Sequence, residues 1–317
     1  MPGRYLLRSW NFQSAEREDL FHHKGIHLNE DQLLPPNTAC PLCLREGIRQ
    51  SVLTLQDNPR VDLVACECGC YSASRMPKPE VLEDYYRRYY DNTGETATFH
   101  GAQRFGVHLY GMLQSSQRSA MRILDFGGGV DATLSRAVAR EFVRKGTERV
   151  EIALIDRSAS CPHDWGAITV DCYRELPPAA QDFDIVIASA VIEHIPSPRS
   201  VLIVLLNALR AGGGIYFRTP VVSSLIRLTS RFGLPMDFQY PEHLHDMGQA
   251  FWEQLIDCLR LTDSFSIVKS QPSIVQEDFR THPLRAALAH AMKSPWYLFR
   301  SRYTMVGGWE AVIIRRH

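Results

Sequence analysis

Residues 121–134 read MRILDFGGGVDATL: an apolar run breaks into three glycines and resumes as a helix pattern. Gly127, Gly129 and Ala132 satisfy G-x-G-x-x-[GA], the spacing of a dinucleotide-binding turn. Asp125 stands two residues ahead of Gly127, and Asp131 occupies a place where many nucleotide loops carry another glycine. On its own the loop leaves its ligand open.

Outward from the loop the pattern is regular. RILDF is a strand, and DATLSRAVAREFVRKG is a helix that starts near Val130 and stops at Gly146. VEIALID (150–156), AITVD (167–171), DFDIVIAS (182–189) and GIYFRTP (214–220) are further strands. SVLIVLLNALRAGG reads as a helix with Gly212–Gly214 as its C-cap. Strands alternating with helices imply βαβ units and a parallel sheet. Runs such as DIVIAS, apolar without alternation, fit burial on both faces. Beyond 220 the sequence predicts an amphipathic helix at 248–261, a strand in DSFSIVKSQ, a helical insertion near 271–305 and a last strand in MVGGWEAVIIRRH.

In an open α/β sheet the ligand sits at the carboxyl ends of the strands, so the glycine loop is in the right place. The helix start beyond it aims free N–H groups at the ligand. Asp125 and Asp131 would crowd a pyrophosphate with negative charge. A cationic sulfonium that carries an α-amino group tolerates them better, which favours S-adenosylmethionine (SAM). Asp156 closes the second strand, where a carboxylate accepts from a ribose diol in either cofactor class. Asp171 closes the third strand, where it can accept from an adenine amino group while the Cys172 N–H donates to the ring. Each aspartate alone also reads as a helix cap or turn residue, but three at successive strand ends make that reading weaker.

ILDFGGG, ALID, ITVDCYRELPPAAQDFDIVIASAVIEHIPSP and LRAGGGIYFRTP, in this order, resemble class I SAM-dependent methyltransferases of the small-molecule type. The resemblance covers roughly 121–270, and FDIVIASAVIEHI is its most specific piece. It implies an α/β, Rossmann-like seven-stranded sheet of order 3-2-1-4-5-7-6. It further implies that Asp125, Phe126, Gly127 and Gly129 hold the methionine part, Asp156 the ribose, and Asp171 and Cys172 the adenine, with Ser189 lining the pocket.

CPLC (40–43) and CECGC (66–70) lie about 22 residues apart. Tetrahedral zinc takes four thiolates from two tight turns, so Cys40, Cys43, Cys66 and Cys68 are the expected ligands, with Cys70 in reserve. Similar methyltransferases of sugars and other natural products carry an N-terminal zinc-binding module followed by a Tyr-rich helix, which KPEVLEDYYRRYYD (78–91) matches. Cys161, Cys172 and Cys258 are isolated and read as packing or backbone positions. The expected organisation is an N-terminal extension (1–38), a zinc-ribbon-like module (39–77), a helical linker or cap (78–120) and the SAM domain (121–317).

A general base helps when a methyl acceptor is a hydroxyl. Glu193 and His194 in VIEHI, and His243 and His245 in PEHLHDM, are the candidates, though His194 also reads as a packing residue at a helix start. Methyltransferases of ubiquinone biosynthesis and of small-RNA ends carry Glu-x-x-Glu-His after the fourth strand and bind a divalent cation. Here Ala190 replaces the first carboxylate, which leaves Glu193, His194 and one downstream histidine as a three-ligand alternative.

Composition narrows the class. Thirty-five basic and 35 acidic residues cancel, which argues against a protein built to grip a long nucleic acid. Residues 1–19 lack the uninterrupted apolar core of a signal peptide. The most apolar run, SVLIVLLNAL (200–209), is about half a bilayer span. A cytoplasmic location is expected, with thiols serving metal or packing rather than disulfides. The expected function is SAM-dependent methylation of a small-molecule or sugar-containing metabolite at a hydroxyl. An NAD-dependent oxidoreductase and a non-catalytic zinc-ribbon adaptor are the alternatives.

Overall fold

The computed structural model describes residues 26–317 apart from 48, 94–100, 160–162, 177–180, 235 and 301–302. Residues 1–25 of the N-terminal extension and Cys161 lie outside the described residues. Among the described residues a 3-10 turn (Glu30–Gln32) is followed by three antiparallel strands, β1 (Gln50–Asp57), β2 (Arg60–Ala65) and β3 (Cys70–Ala73), and two helices, α1 (Pro79–Thr93) and α2 (Ala102–Leu113). The alternating region follows: β4 (Ala120–Phe126), α3 (Thr133–Arg144), β5 (Arg149–Ile155), β6 (His163–Asp164), β7 (Ile168–Tyr173), β8 (Phe183–Ser189), α4 (Pro198–Asn207) and β9 (Leu209–Val221). The remainder is α5 (Ser223–Arg231), β10 (His245–Met247), α6 (Gln249–Leu259), β11 (Phe265–Pro272), α7 (Pro283–Phe299) and β12 (Gly307–Arg315).

The large sheet runs β11-β12-β9-β8-β4-β5-β7-β6. Without the two-residue edge strand β6, this is the expected seven-strand order 3-2-1-4-5-7-6. Strands β7, β5, β4, β8 and β9 are parallel, and β12 and β11 add the antiparallel end. All seven residues of β8 are buried, as its unbroken apolar run requires of a central parallel strand. Alternate strand residues feed opposite faces. Leu124, Val186, Ala188, Phe217 and Ile313 join one core cluster, and Ile123, Ile185, Ile187, Tyr216 and Val312 join the other.

The helix after β8 ends earlier than its sequence suggests. It stops at Asn207, and Gly212–Gly214 lie inside β9 rather than forming a cap. The β8–β9 register shifts between Phe183 and Ile185, because the extra residues around Gly212 form a bulge. Glycines that read as a helix stop here permit the bulge.

A second, four-stranded antiparallel sheet has the order β1-β2-β3-β10. Its fourth strand comes from far along the chain: His245, Asp246 and Met247 pair with Ser72, Tyr71 and Cys70. Cys40, Cys68 and Cys70 sit in the same buried cluster as Phe251 and Trp252 of α6. Gly69 packs directly against the start of α6. A Cβ there would lie 2.4 Å from the Phe251 amide nitrogen, and its φ of +79° is one that other residues rarely adopt. No described helix is long and apolar enough to cross a membrane.

Candidate active site

The glycine loop joins β4 to α3 at the sheet's topological switch point. Gly127 N–H donates to the Ile155 carbonyl at 2.8 Å, and Gly129 N–H to Asp156 Oδ2 at 2.9 Å. Asp156 also accepts from the Ser158 amide and hydroxyl through Oδ1, at 2.8 and 2.6 Å. This carboxylate therefore stitches together the loops after β4 and β5. Asp156, Asp171 and Cys172 line one cleft of about 510 Å³ with Arg157 and Tyr173. The three positions chosen for ribose and adenine thus come together. Cys172 is disulfide-bonded, which corrects its reading as an isolated thiol.

Asp125 lies beneath the loop instead of in the cleft. It is buried, accepts from Ser135 Oγ at 2.5 Å, and would be 2.2 Å from a Cβ on Gly128. Only a glycine allows the loop to settle on that carboxyl group. Burial pushes Asp125 up to about 7, opposed by the Ser135 hydrogen bond and reinforced by the charge of Asp156. The folded value lies above the unfolded one, so this group stabilises the fold most below about pH 4, and that contribution fades as pH rises through 7. Subtracting the melting curve of Asp125→Asn from that of the ligand-free protein should leave a stability difference falling between pH 4 and 7. A flat difference would contradict the assignment.

Phe126 ends β4 half-buried against the first core cluster. Asp131 accepts from Thr133 Oγ1 at 2.6 Å and Arg136 Nη2 at 2.7 Å. Its charge is met by an arginine, which corrects the idea that it faces a cationic ligand. Ala132 takes the left-handed turn before α3, with φ of +53°, and the helix starts at Thr133, not Val130. Ser189, at the end of β8, is buried, and its Oγ has no hydrogen-bond partner among the described residues. That orphaned hydroxyl and the side-chain-free loop fit a polar ligand bound over β4 and β8.

A second cavity, about 500 Å³, opens beyond β8 and is lined by Ala190, Glu193, His194, Arg218, His243 and Lys293 among others. Glu193 and His194 lie on a short 3-10 turn after β8, and Leu244 N–H donates to the Glu193 carbonyl at 2.9 Å. This bond brings the loop of His243 alongside, with the His194 and His243 rings 5.0 Å apart. His194 Nδ1 donates to the Glu242 carbonyl at 2.7 Å, and His243 Nδ1 to the Phe238 carbonyl at 3.2 Å. A carbonyl only accepts, so both rings carry hydrogen on Nδ1, which in a neutral imidazole makes Nε2 the acceptor nitrogen. Glu193 is fully buried with neither carboxylate oxygen hydrogen-bonded among the described residues, and burial raises its pKa. Ligand atoms of Glu193, His194 and His243 all lie within 4.8 Å of one another.

His245 is not part of this cluster. It is fully buried, with Nδ1 2.9 Å from Ser72 Oγ and Nε2 donating to the Ile195 carbonyl at 2.8 Å. Burial pushes it down to about 4. Both nitrogens are occupied, so its candidacy as a base is corrected to a structural tie between β3 and the segment after His194. Arg218 and Lys293 were not singled out from the sequence. Arg218 had a visible signal, a lone charge near the end of an apolar strand; Lys293 had none.

The four expected cysteines form one group with ligand atoms within 4.8 Å of one another. Cys40 Sγ is 3.7 Å from Cys68 Sγ, and Cys43 Sγ is 3.5 Å from Cys66 Sγ. A tetrahedron with Zn–S bonds of about 2.3 Å needs sulfurs about 3.8 Å apart, so the donor set fits zinc. Cys70 falls outside the group and contacts Ser72 Oγ at 3.3 Å.

A family model for a methyltransferase domain matches residues 101–260. The chain belongs to this methyltransferase family. Its fold and loop are those of the class I SAM-dependent branch. Membership selects SAM over the nicotinamide dinucleotide that the glycine spacing also allowed. The ubiquinone biosynthesis O-methyltransferase of Photorhabdus laumondii is 28% identical over 146 residues, covering 44% of this chain and 59% of the relative. That of Vibrio cholerae (strain O395) is 26% identical over 144 residues, covering 44% and 57%. The methyltransferase thus spans less than two thirds of the length of the curated relatives it matches. Among solved structures, a SAM-dependent methyltransferase from Mesorhizobium loti aligns over 65% of this chain and 97% of its own, at 16% identity and a TM-score of 0.40.

Proposed function

We propose that this methyltransferase moves the methyl group of SAM to a hydroxyl of a small-molecule or sugar-containing acceptor. One observation carries the reading: the glycine loop and the histidine cluster meet across a single residue. A Cβ on Gly127 would lie 2.7 Å from Val191 Cγ2, and Val191 is two residues before Glu193. A ligand over the loop and an acceptor beside His194 would then face each other at the end of β8.

SAM supplies a methyl carbon already activated by its sulfonium. The chain's task is to orient the acceptor for in-line attack and to receive the hydroxyl proton. His194 or His243 takes that proton at Nε2, and the carbonyls of Glu242 and Phe238 hold the ring as Nδ1–H. Glu193, 3.8 Å from His194 Nε2, offsets the imidazolium charge. In this reading Asp156, Asp171 and the Cys172 backbone hold the adenosine, and Asp125, Phe126, Gly127, Gly129 and Ser189 shape the methionine end. Incubation with SAM and a panel of hydroxylated acceptors should yield S-adenosylhomocysteine and a product heavier by one methyl. Turnover restricted to amines or thiols would overturn the hydroxyl assignment.

A second reading is favoured by the close approach of Glu193, His194 and His243: the cluster holds a divalent cation that lowers the pKa of the acceptor hydroxyl. Chelation that stops turnover while zinc content stays constant would select it.

We further infer that Cys40, Cys43, Cys66 and Cys68 hold one structural zinc ion in a 39–77 module, joined through 78–120 to a SAM domain at 121–317. Thiolate ligands suit a reducing compartment such as the cytoplasm, whereas the disulfide at Cys172 runs against that expectation.

A further inference from the structure

Helix α7 is apolar on two opposite sides, and the fold uses one of them. The inner side is fixed by Trp296, which meets Trp309 edge-on at 5.4 Å and donates Nε1–H to Gln249 Oε1 at 3.0 Å. Ala289, Met292 and Lys293 on the same side line the acceptor cavity. Of the 17 residues of the helix, only Ala286 and Trp296 are buried. The outer side carries Leu284, Leu288 and Leu298, which are 76, 64 and 81% exposed. At about 3.6 residues per turn these leucines form one stripe, interleaved with Ala287, Ala291 and Pro295. A surface helix is normally polar on the side turned away from its core. Single exposed leucines are ordinary, whereas an apolar stripe about 20 Å long marks a contact.

The charge around the stripe says what covers it. From Phe279 to Trp309 the sequence contains no carboxylate. Arg285 and Arg300 are exposed near the two ends of the helix, and Arg280 is exposed just ahead of it. The bordering acids are engaged elsewhere. Asp278 accepts from the Arg280 amide at 2.9 Å, and Glu253 of α6 from Gln249 at 2.8 Å. Glu277 lines the acceptor cavity, and Glu310 is fully buried. A second copy seated on the stripe would set arginines against arginines with no carboxylate between them. Residues 1–25 of the chain bring no acidic excess either, with Arg4, Arg8, Arg17 and Lys24 against Glu16, Glu18 and Asp19. A surface of anionic lipid headgroups meets the arginines and also accepts the leucines.

We propose that α7 is a peripheral docking helix that lies flat on an anionic lipid bilayer. Leu284, Leu288 and Leu298 enter the boundary between headgroups and acyl chains, while Arg285 and Arg300 meet lipid phosphates. The helix lies in the interface and does not span it. Its inner side walls the acceptor cavity, so docking sets that cavity about one helix diameter from the lipid. The docking surface is independent of the acceptor's identity and of the base.

The test floats full-length protein with vesicles of equimolar phosphatidylglycerol and phosphatidylcholine, and with vesicles of phosphatidylcholine alone. The parent should bind the mixed vesicles, come off them as salt is raised, and ignore the neutral ones. Leu284→Asp with Leu288→Asp should weaken binding about a hundredfold. Arg285→Glu with Arg300→Glu should weaken it about tenfold or more. All four positions are exposed, so melting temperature should match the parent and report intact folding. No binding to the mixed vesicles, equal binding to both compositions, or undiminished binding by the leucine pair overturns the proposal. A parent dimer in sedimentation without lipid, converted to monomer by the leucine pair, overturns it in favour of a second copy.

Discussion

The double substitution Cys40→Ser, Cys43→Ser should remove zinc from the protein and leave it unfolded or partly unfolded at ordinary temperatures. A structural zinc ion contributes about 10–16 kcal/mol of apparent binding free energy, as much as or more than the whole stability of a typical domain, about 5–15 kcal/mol. The loss cannot stay local, because the cysteine turns share a buried cluster with Phe251, Trp252 and Leu202. Arg199 Nη1 donates to the Leu42 carbonyl at 2.9 Å and to the Cys258 carbonyl at 3.1 Å, tying the first turn to α4 and α6. Strand β10 begins two residues after His243 and pairs with β3, so a released module also frees the acceptor cluster. Elemental analysis should find one zinc per chain in the parent and none in the double variant, with a large drop in melting temperature. Cys70→Ser is the control and should keep its zinc, since Cys70 stands outside the four-sulfur group. A metal-free parent that melts like the double variant would refute the zinc assignment.

The second large effect concerns the base. Removing the imidazole that takes the hydroxyl proton should lower kcat by about 10²–10⁴-fold and leave SAM affinity unchanged. His194→Ala and His243→Ala are compared side by side, and the larger loss identifies the base. The geometry makes them unequal: His194 is joined to Glu193 at 3.8 Å and anchored by a 2.7 Å hydrogen bond, against 3.2 Å for His243. His194 is expected to show the larger loss. Equal, small losses from both would mean that positioning alone carries the rate.

The strand–helix alternation from Arg122 to Pro220 was legible because central parallel strands are apolar throughout, as in DIVIAS, and the glycine loop marks the first turn. The cysteine spacing likewise picked out the four sulfurs that converge. What failed were features decided by distant partners. His245, Asp246 and Met247 carry no strand pattern; they form β10 because Cys70–Ser72 offers an edge for them. His245 read as a candidate base because PEHLHDM does not show that Ser72 and Ile195 engage both of its ring nitrogens. Gly212–Gly214 resembled a cap because a bulge and a helix stop draw on the same backbone freedom. Lys293 came to the acceptor cavity through the packing of a helix after residue 282, which no local motif encodes.

Calorimetric titration with SAM and with NAD, on the parent and on Asp156→Ala, tests the cofactor assignment most directly. Asp156 Oδ2 accepts from the Gly129 amide and Asp156 lines the cleft proposed for adenosine, so its loss should act on the loop and on the proposed ribose site together. The parent should bind SAM and ignore NAD, and Asp156→Ala should weaken SAM binding about ten- to hundredfold. Binding of NAD without SAM, or SAM binding indifferent to Asp156, would contradict the assignment of this cleft.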